Sequence, residues 1–173
     1  FACLYLSLSL WVRCLARRPW ARGEPADPPL VSIIIAGRNE AEELPGCLDS
    51  LMRLRYPAEK LEILLVDDAS RDGSLALLQA FAEGKEHVTV LALERQAKEL
   101  SGKAGAVLQA IEKSNGEYIF ITDADCRVPS LWIETHLAYF TAEVGMVGGL
   151  TLLHRRHVHT SWLDRVQSLD WLF

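Results

Sequence analysis

The chain has 173 residues, half of them hydrophobic and about a quarter charged, a composition that excludes a disordered polypeptide. About 150 residues lie outside an apolar N-terminal stretch, enough for one domain with its own core. The net charge is −5, and because residues 1–22 hold Arg13, Arg17, Arg18 and Arg22 and no acid, the remainder carries −9; this excludes non-specific nucleic-acid binding, which needs a basic face.

Residues 1–15 (FACLYLSLSLWVRCL) are dominated by apolar side chains, and Arg13 is their only charge. A full membrane span needs about 20 apolar residues, and this run begins partway, with Phe as the first residue. We read residues 1–18 as a truncated transmembrane helix and the sequence, which stops at Trp-Leu-Phe, as the front part of a longer protein. Trp11 and Trp20 suit a membrane interface, and the arginines that follow the run place the next domain on the cytoplasmic side. A signal peptide would carry its positive charge before the apolar core instead. Residues 19–30 read as a linker rich in Pro and acid, and residues 31–173 as the domain. Cys3, Cys14, Cys47 and Cys126 form no C-x-x-C pair, so neither a disulfide framework nor a zinc site is expected, in keeping with a reducing compartment.

Val31–Ala36 (VSIIIA) has the continuous β-branched character of a strand buried on both faces. A helix is expected next, with Asn39 as N-cap, Glu42 completing a capping box, and Leu44, Leu48, Leu51 and Met52 at helical spacing until Tyr56-Pro57 ends it. Leu61–Val66 is the second strand, closing on Asp67-Asp68. A helix capped by Ser70 or Asp72 runs to about Ala82, His87–Leu93 is a third strand, Ser101–Ser114 a helix, and Glu117–Thr122 a fourth strand closing on Asp123. A helix over Ser130–Phe140, a strand over Val144–Leu150 and a helix over Ser161–Phe173 complete the expectation. This alternation predicts an α/β fold, a mostly parallel sheet flanked by helices. Ligands of such sheets sit beyond the C-terminal strand ends, where Arg38-Asn39-Glu40, Asp67-Asp68 and Asp123-Ala124-Asp125 fall.

Two carboxylates one residue apart at a strand end, Asp123 and Asp125, can both reach a hard cation. Mg²⁺ or Mn²⁺ prefers such oxygen ligands and completes its shell with phosphate. The bland alternative is a solvated turn or helix cap. Asp67-Asp68 has the same placement, one acid free for a base or ribose while the other caps the turn. Lys103 opens a helix, where an ammonium and free N–H groups suit phosphate; it is otherwise a solvated lysine. His154, His157 and His159 lack metal-pair spacing and read as a solvated loop.

Four blocks, VSIIIAGRNEAEEL, EILLVDDASRDGS, SGKAGAVLQAIEKSNGEYIFITDADC and a following helix with Trp132, resemble the family 2 glycosyltransferases of GT-A fold, in that family's order over about residues 31–150. The resemblance implies a Rossmann-like nucleotide-binding half and sugar transfer from a UDP- or GDP-sugar donor to a lipid, polysaccharide or other glycan acceptor, inverting and dependent on Mg²⁺ or Mn²⁺. It implies that Asp68, with Asp67, holds the nucleoside, that Asp123 and Asp125 bind metal and diphosphate, and that Glu40 and Lys103 line the donor pocket, with Arg38 and Asn39 beside them. Where the family has Pro after the first strand this chain has Ala36-Gly37, and Ala69 stands in place of a Gly. The catalytic base is expected beyond Phe173. Competing readings are a non-catalytic nucleotide-sugar-binding module and a haloacid dehalogenase-like phosphatase, whose motif has Thr or Val where Arg127 stands. A response-regulator receiver fails because Lys103 precedes Asp123.

Overall fold

The structure, a computed structural model, describes residues 27–94, 102–149 and 151. These fall into two compact units, one over residues 27–135 and one over the described residues from 136 onward. The sheet and the site belong to the first.

In chain order the elements are β1 (Val31–Gly37), α1 (Leu44–Leu51), a 3-10 turn (Ala58–Lys60), β2 (Leu61–Asp68), α2 (Ser74–Ala82), β3 (Val88–Leu93), α3 (Lys103–Lys113), β4 (Tyr118–Asp123) and α4 (Trp132–Leu137). All strand pairs are parallel and the sheet order is β3-β2-β1-β4, the α/β layering that the alternation predicts. The sheet grows outward from β1 to β3, then the chain crosses back and adds β4 on the other side of β1. That reversal makes a switch point between β1 and β4, where a crevice opens beyond the strand ends.

The central strands are apolar along both faces because both are covered. No residue of Val31–Ala36 is more than 2% exposed. Ile34, Ala36, Leu64, Val66 and Leu91 pack against Ala106 and Ala110 of α3, whose small side chains let the helix approach the sheet closely. Strand alternation turns Ile33, Ile35, Ile63 and Leu65 to the other face, where Ile35 shares a cavity wall with Leu44 of α1 and Leu78 of α2. Each such Ile or Leu contributes about 1.5–3 kcal/mol by leaving water. In the edge strand β4 only Phe120 is buried; its ring meets Trp132 edge-on at 5.0 Å.

Several expectations are corrected. Asn39 does not cap a helix: its φ is 57°, whereas an N-cap needs the extended region, and α1 begins only at Leu44 with Pro45 in its first turn, where a missing N–H costs nothing. Met52 is 60% exposed, past the helix end. Residues 144–149 contain no strand, since Gly145, Gly148 and Gly149 make an extended ladder entropically costly. The membrane span expected over residues 1–18 and the helix expected over Ser161–Phe173 lie outside the described residues. Among the described residues no helix is long and apolar enough to cross a membrane.

A polar knot ties the N-terminal strand ends together, opposite the crevice. The fully buried Ser32 hydroxyl donates to the Glu62 carboxylate and accepts the Gly116 N–H at 2.8 Å. Asn115 donates to Glu62 from its backbone at 2.9 Å and from its side chain at 2.8 Å. Burial pushes the Glu62 pKa up, but these donors outweigh it and the carboxyl lies below its usual range. A folded-state pKa below the unfolded value stabilises the fold above about pH 4.3, the ordinary Glu value, and that stability is lost as pH falls through the folded pKa. The melting midpoint of Glu62→Gln should therefore fall less steeply with acid than that of the parent; parallel curves below pH 5 would refute the assignment.

Candidate active site

The crevice is shaped by the way β1 stops. A Cβ at Gly37 would stand 2.8 Å from the Ala124 methyl and 3.2 Å from Glu40 Cγ, so glycine there lets Ala124 tuck against the strand end, where it is 3% exposed. With Ala124 pinned inward, its neighbours Asp123 and Asp125 turn out to solvent. The Cys126 N–H closes the turn onto the Asp123 carbonyl at 3.1 Å, and the Cys47 thiol donates to the same oxygen at 3.7 Å. Burial pushes the Cys47 thiol up to about 12, which keeps it a neutral donor. Val128 N–H to Ser50 Oγ at 3.1 Å fastens the following loop to α1.

A second device holds the other wall. Asn39 and Ala69 both have left-handed backbones, with φ of 57° and 53°. These conformations set the β1–α1 and β2–α2 loops face to face. Asn39 N–H donates to Ser70 Oγ at 2.9 Å and Asn39 Oδ1 accepts Arg71 N–H at 2.8 Å. Glu40 N–H reaches Ser74 Oγ at 2.9 Å and Ala41 N–H reaches Asp72 Oδ2 at 3.1 Å. The Ser74 hydroxyl and N–H hold the Asp72 carboxyl below its usual range. Left-handed alanine costs about 1–2 kcal/mol, so the Ala69 substitution noted in the sequence carries real strain, held in place by this clasp. Of the two cap candidates, Ser70 accepts across the loops from Asn39, whereas Asp72 accepts the Ser74 N–H at 2.9 Å at the start of α2 and also reaches across to Ala41.

The cleft so formed has a volume of about 310 Å³ and is lined by Ala36, Gly37, Arg38, Glu40, Asp68, Lys103, Asp123, Ala124 and Asp125. Five of the six site residues expected from the sequence meet here. Asp67 does not: it is 3% exposed, accepts the Ser70 N–H at 3.1 Å, and lines a separate small cavity with Ile35 and Leu78. Alternation along β2 sends adjacent acids to opposite faces, so Asp68 takes the cleft side and Asp67 the α1–α2 side. Its other oxygen, Oδ1, is buried without a partner among the described residues.

Charge in the cleft is lopsided. Glu40, Asp68, Asp123 and Asp125 face Arg38 and Lys103. Lys103 Nζ lies 2.5 Å from Asp123 Oδ1. Among the described residues, Arg38 Nε is buried without a hydrogen-bond partner, and the residue lines the cleft. Partial burial and then the charge of Asp125 push the Glu40 carboxyl up, against the pull of Lys103. Among the described residues, Asp123, Asp125 and Cys126 form a group whose potential ligand atoms lie within 4.8 Å of one another. Burial and the Asp125 charge push the Cys126 thiol up, so it stays protonated and soft, while the two carboxylates are the hard donors that Mg²⁺ or Mn²⁺ selects. The residues present thus fit such a cation. In the sequence an arginine before Asn-Glu carries no pattern of its own, and nothing there shows the need for a glycine at 37. The histidines 154, 157 and 159 lie outside the described residues.

Comparison with known proteins identifies the family. The model of the family described as "Glycosyl transferase family 2" matches residues 32–171. The chain is 32% identical over 122 residues to the glycosyltransferase AglE of Haloferax volcanii, a stretch that covers 70% of this chain and 39% of that protein. It is 35% identical over 102 residues to the beta-monoglucosyldiacylglycerol synthase of a Nostoc species, covering 59% of this chain and 21% of the relative. Among solved structures, the mannosyltransferase PcManGT from Pyrobaculum calidifontis, in complex with GDP-Man and Mn²⁺, superposes with a TM-score of 0.67 at 26% identity over 87% of this chain and 43% of that one. The chain therefore spans well under half the length of the relatives it matches.

Proposed function

This chain belongs to glycosyl transferase family 2, and from that premise we propose that its cleft binds a nucleotide-sugar by the diphosphate and serves transfer of the sugar to an acceptor hydroxyl. The observation that carries the proposal is the charge balance of the cleft at the switch point, four carboxylates against two cations. A diphosphate entering alone would be repelled. With a divalent cation between Asp123 and Asp125 the net charge of −2 is cancelled, the repulsion is removed, and the cation itself holds the anion.

In this reading Asp123 and Asp125 hold Mg²⁺ or Mn²⁺, which supplies charge neutralisation of the diphosphate as it leaves the sugar. Lys103 and Arg38 donate to phosphate oxygens from the flanks. Asp68, at the far side of the cleft, accepts from the nucleoside, and Glu40 lines the approach to the sugar. Transfer is inverting: the acceptor hydroxyl attacks the anomeric carbon while a base takes its proton. The GDP-Man and Mn²⁺ bound to the mannosyltransferase neighbour support the donor class and the metal. The name of the Nostoc relative supports a lipid acceptor, and the apolar character of residues 1–15 supports attachment to a membrane with the domain on its cytoplasmic side.

Calorimetric titration of UDP- and GDP-sugars, with Mn²⁺ and in EDTA, tests the proposal. One donor class should bind with the metal and lose its measurable heat in EDTA. Binding of equal strength in EDTA, or no binding by either class, would overturn it.

A further inference from the structure

We propose that Lys103 occupies the cation position on Asp123 while the cleft is empty and yields it when a divalent metal loads, so that one lysine sets both the metal affinity of the site and its grip on the diphosphate. This rests on the reading of the cleft as a metal-diphosphate site.

The geometry points to exchange and not to coexistence. Lys103 Nζ sits 2.5 Å from Asp123 Oδ1, and Asp123 belongs to the group of ligand atoms gathered within 4.8 Å. A monovalent and a divalent cation crowded onto one carboxylate repel each other strongly at such separations. That repulsion disfavours the shared arrangement, and the lysine is the partner able to move away. The pair is half exposed, at 56% and 53% for the two side chains, and exposed pairs hold weakly. Gly102, in the left-handed region at φ 85° with open space where a Cβ would be, precedes Lys103 at the start of α3, and the lysine stem has four rotatable carbons to swing on.

Displaced from Asp123, the ammonium remains beside the cleft, where the donor's diphosphate is its next partner. Metal and donor are then coupled through the lysine. Metal loading frees the ammonium for phosphate, and phosphate, by drawing the ammonium off Asp123, raises the affinity for metal; linkage makes the two effects equal.

The test is a donor-free Mn²⁺ titration of the full chain, followed by electron paramagnetic resonance of the unbound ion, for the parent, Lys103→Gln, Lys103→Met and Lys103→Arg. Melting midpoints establish that the variants fold. Both neutral variants should bind Mn²⁺ about fivefold tighter than the parent, the scale of an exposed ion pair, and the gain should shrink as ionic strength rises. Lys103→Arg, which keeps the charge, should match the parent. Addition of GDP or UDP should raise Mn²⁺ affinity more in the parent than in the neutral variants. Neutral variants that bind Mn²⁺ no better than the parent would overturn the exchange while leaving the metal-diphosphate reading intact. Absence of Mn²⁺ binding in every protein, with or without nucleotide, would overturn that reading and the exchange with it.

Discussion

Asp125→Asn should abolish metal-dependent donor binding without disturbing the fold. Asparagine keeps the size and one oxygen of the side chain and removes only its charge. The turn that presents residue 125 is held by groups the substitution does not touch: Ala124 buried against Gly37, the Cys126 N–H on the Asp123 carbonyl, and the Cys47 thiol on the same oxygen. A melting midpoint within a degree or so of the parent is therefore expected. Loss of one of two hard anionic donors is a larger change than the loss of a supporting outer-shell group, which already costs about 10–100-fold in metal affinity. Mn²⁺ and donor affinity should fall together by about a hundredfold or more. The same substitution removes a charge that helps hold the Glu40 carboxyl up, so Glu40 should move back toward its ordinary value. Unchanged donor affinity in Asp125→Asn, measured calorimetrically at a Mn²⁺ concentration that half-saturates the parent, would sink the assignment of the metal site.

The largest loss of stability is expected far from the cleft. A Cβ at Gly116 would stand 2.4 Å from Ser32 N, 2.5 Å from Ser32 Oγ and 2.9 Å from Val31 C. Two of these atoms are backbone of the central strand and cannot swing aside as a side-chain tip would. Gly116→Ala must push the start of β4 away from β1, stretching the Gly116 N–H bond to Ser32 and loosening the Asn115 grip on Glu62. Overpacking of this kind costs about 1–3 kcal/mol, and the lost hydrogen bond of a buried serine adds about 1 kcal/mol. A fall of about 5–10 °C in melting midpoint follows for a chain of this size. Position 116 lies at the opposite strand end from the ligand, so the folded fraction should bind donor as the parent does. Gly46→Ala is the contrast: the atoms a Cβ would meet there belong to the mobile guanidinium of Arg127, which can move off, and little loss is expected.

Much of the fold was legible in residue pattern alone. Runs such as VSIIIA and LEILLV are apolar at every position but the second, which only a strand covered on both faces tolerates, and they lie within one residue of the observed β1 and two of the observed β2. The third and fourth strands and the helices between them came out within a residue or two for the same reason. The pattern failed where local and long-range partners compete for the same polar group. Asn39 and Glu42 have capping-box spacing, yet Asn39 spends its side chain and its N–H on Ser70 and Arg71, 31 and 32 residues away, and its left-handed backbone forbids the helix start. The strand expected over Val144–Leu150 failed in another way, since its glycines weaken a ladder that the apolar residues alone would favour.

By itself the sequence determined the layering of this protein, the placing of acids at the ends of its strands and its family, because burial demands a hydrophobic period that shows along the chain and because motif spacing does not depend on packing. Only the tertiary structure decided that Asp68 faces the cleft while Asp67 is buried behind it, that Gly37 makes room for Ala124, and that Lys103 meets Asp123 across 20 residues. Adjacent strand residues must point opposite ways, but which of them faces the ligand depends on strand order and on which helix covers which side. Those are set by contacts between segments distant in sequence, and no local window contains them.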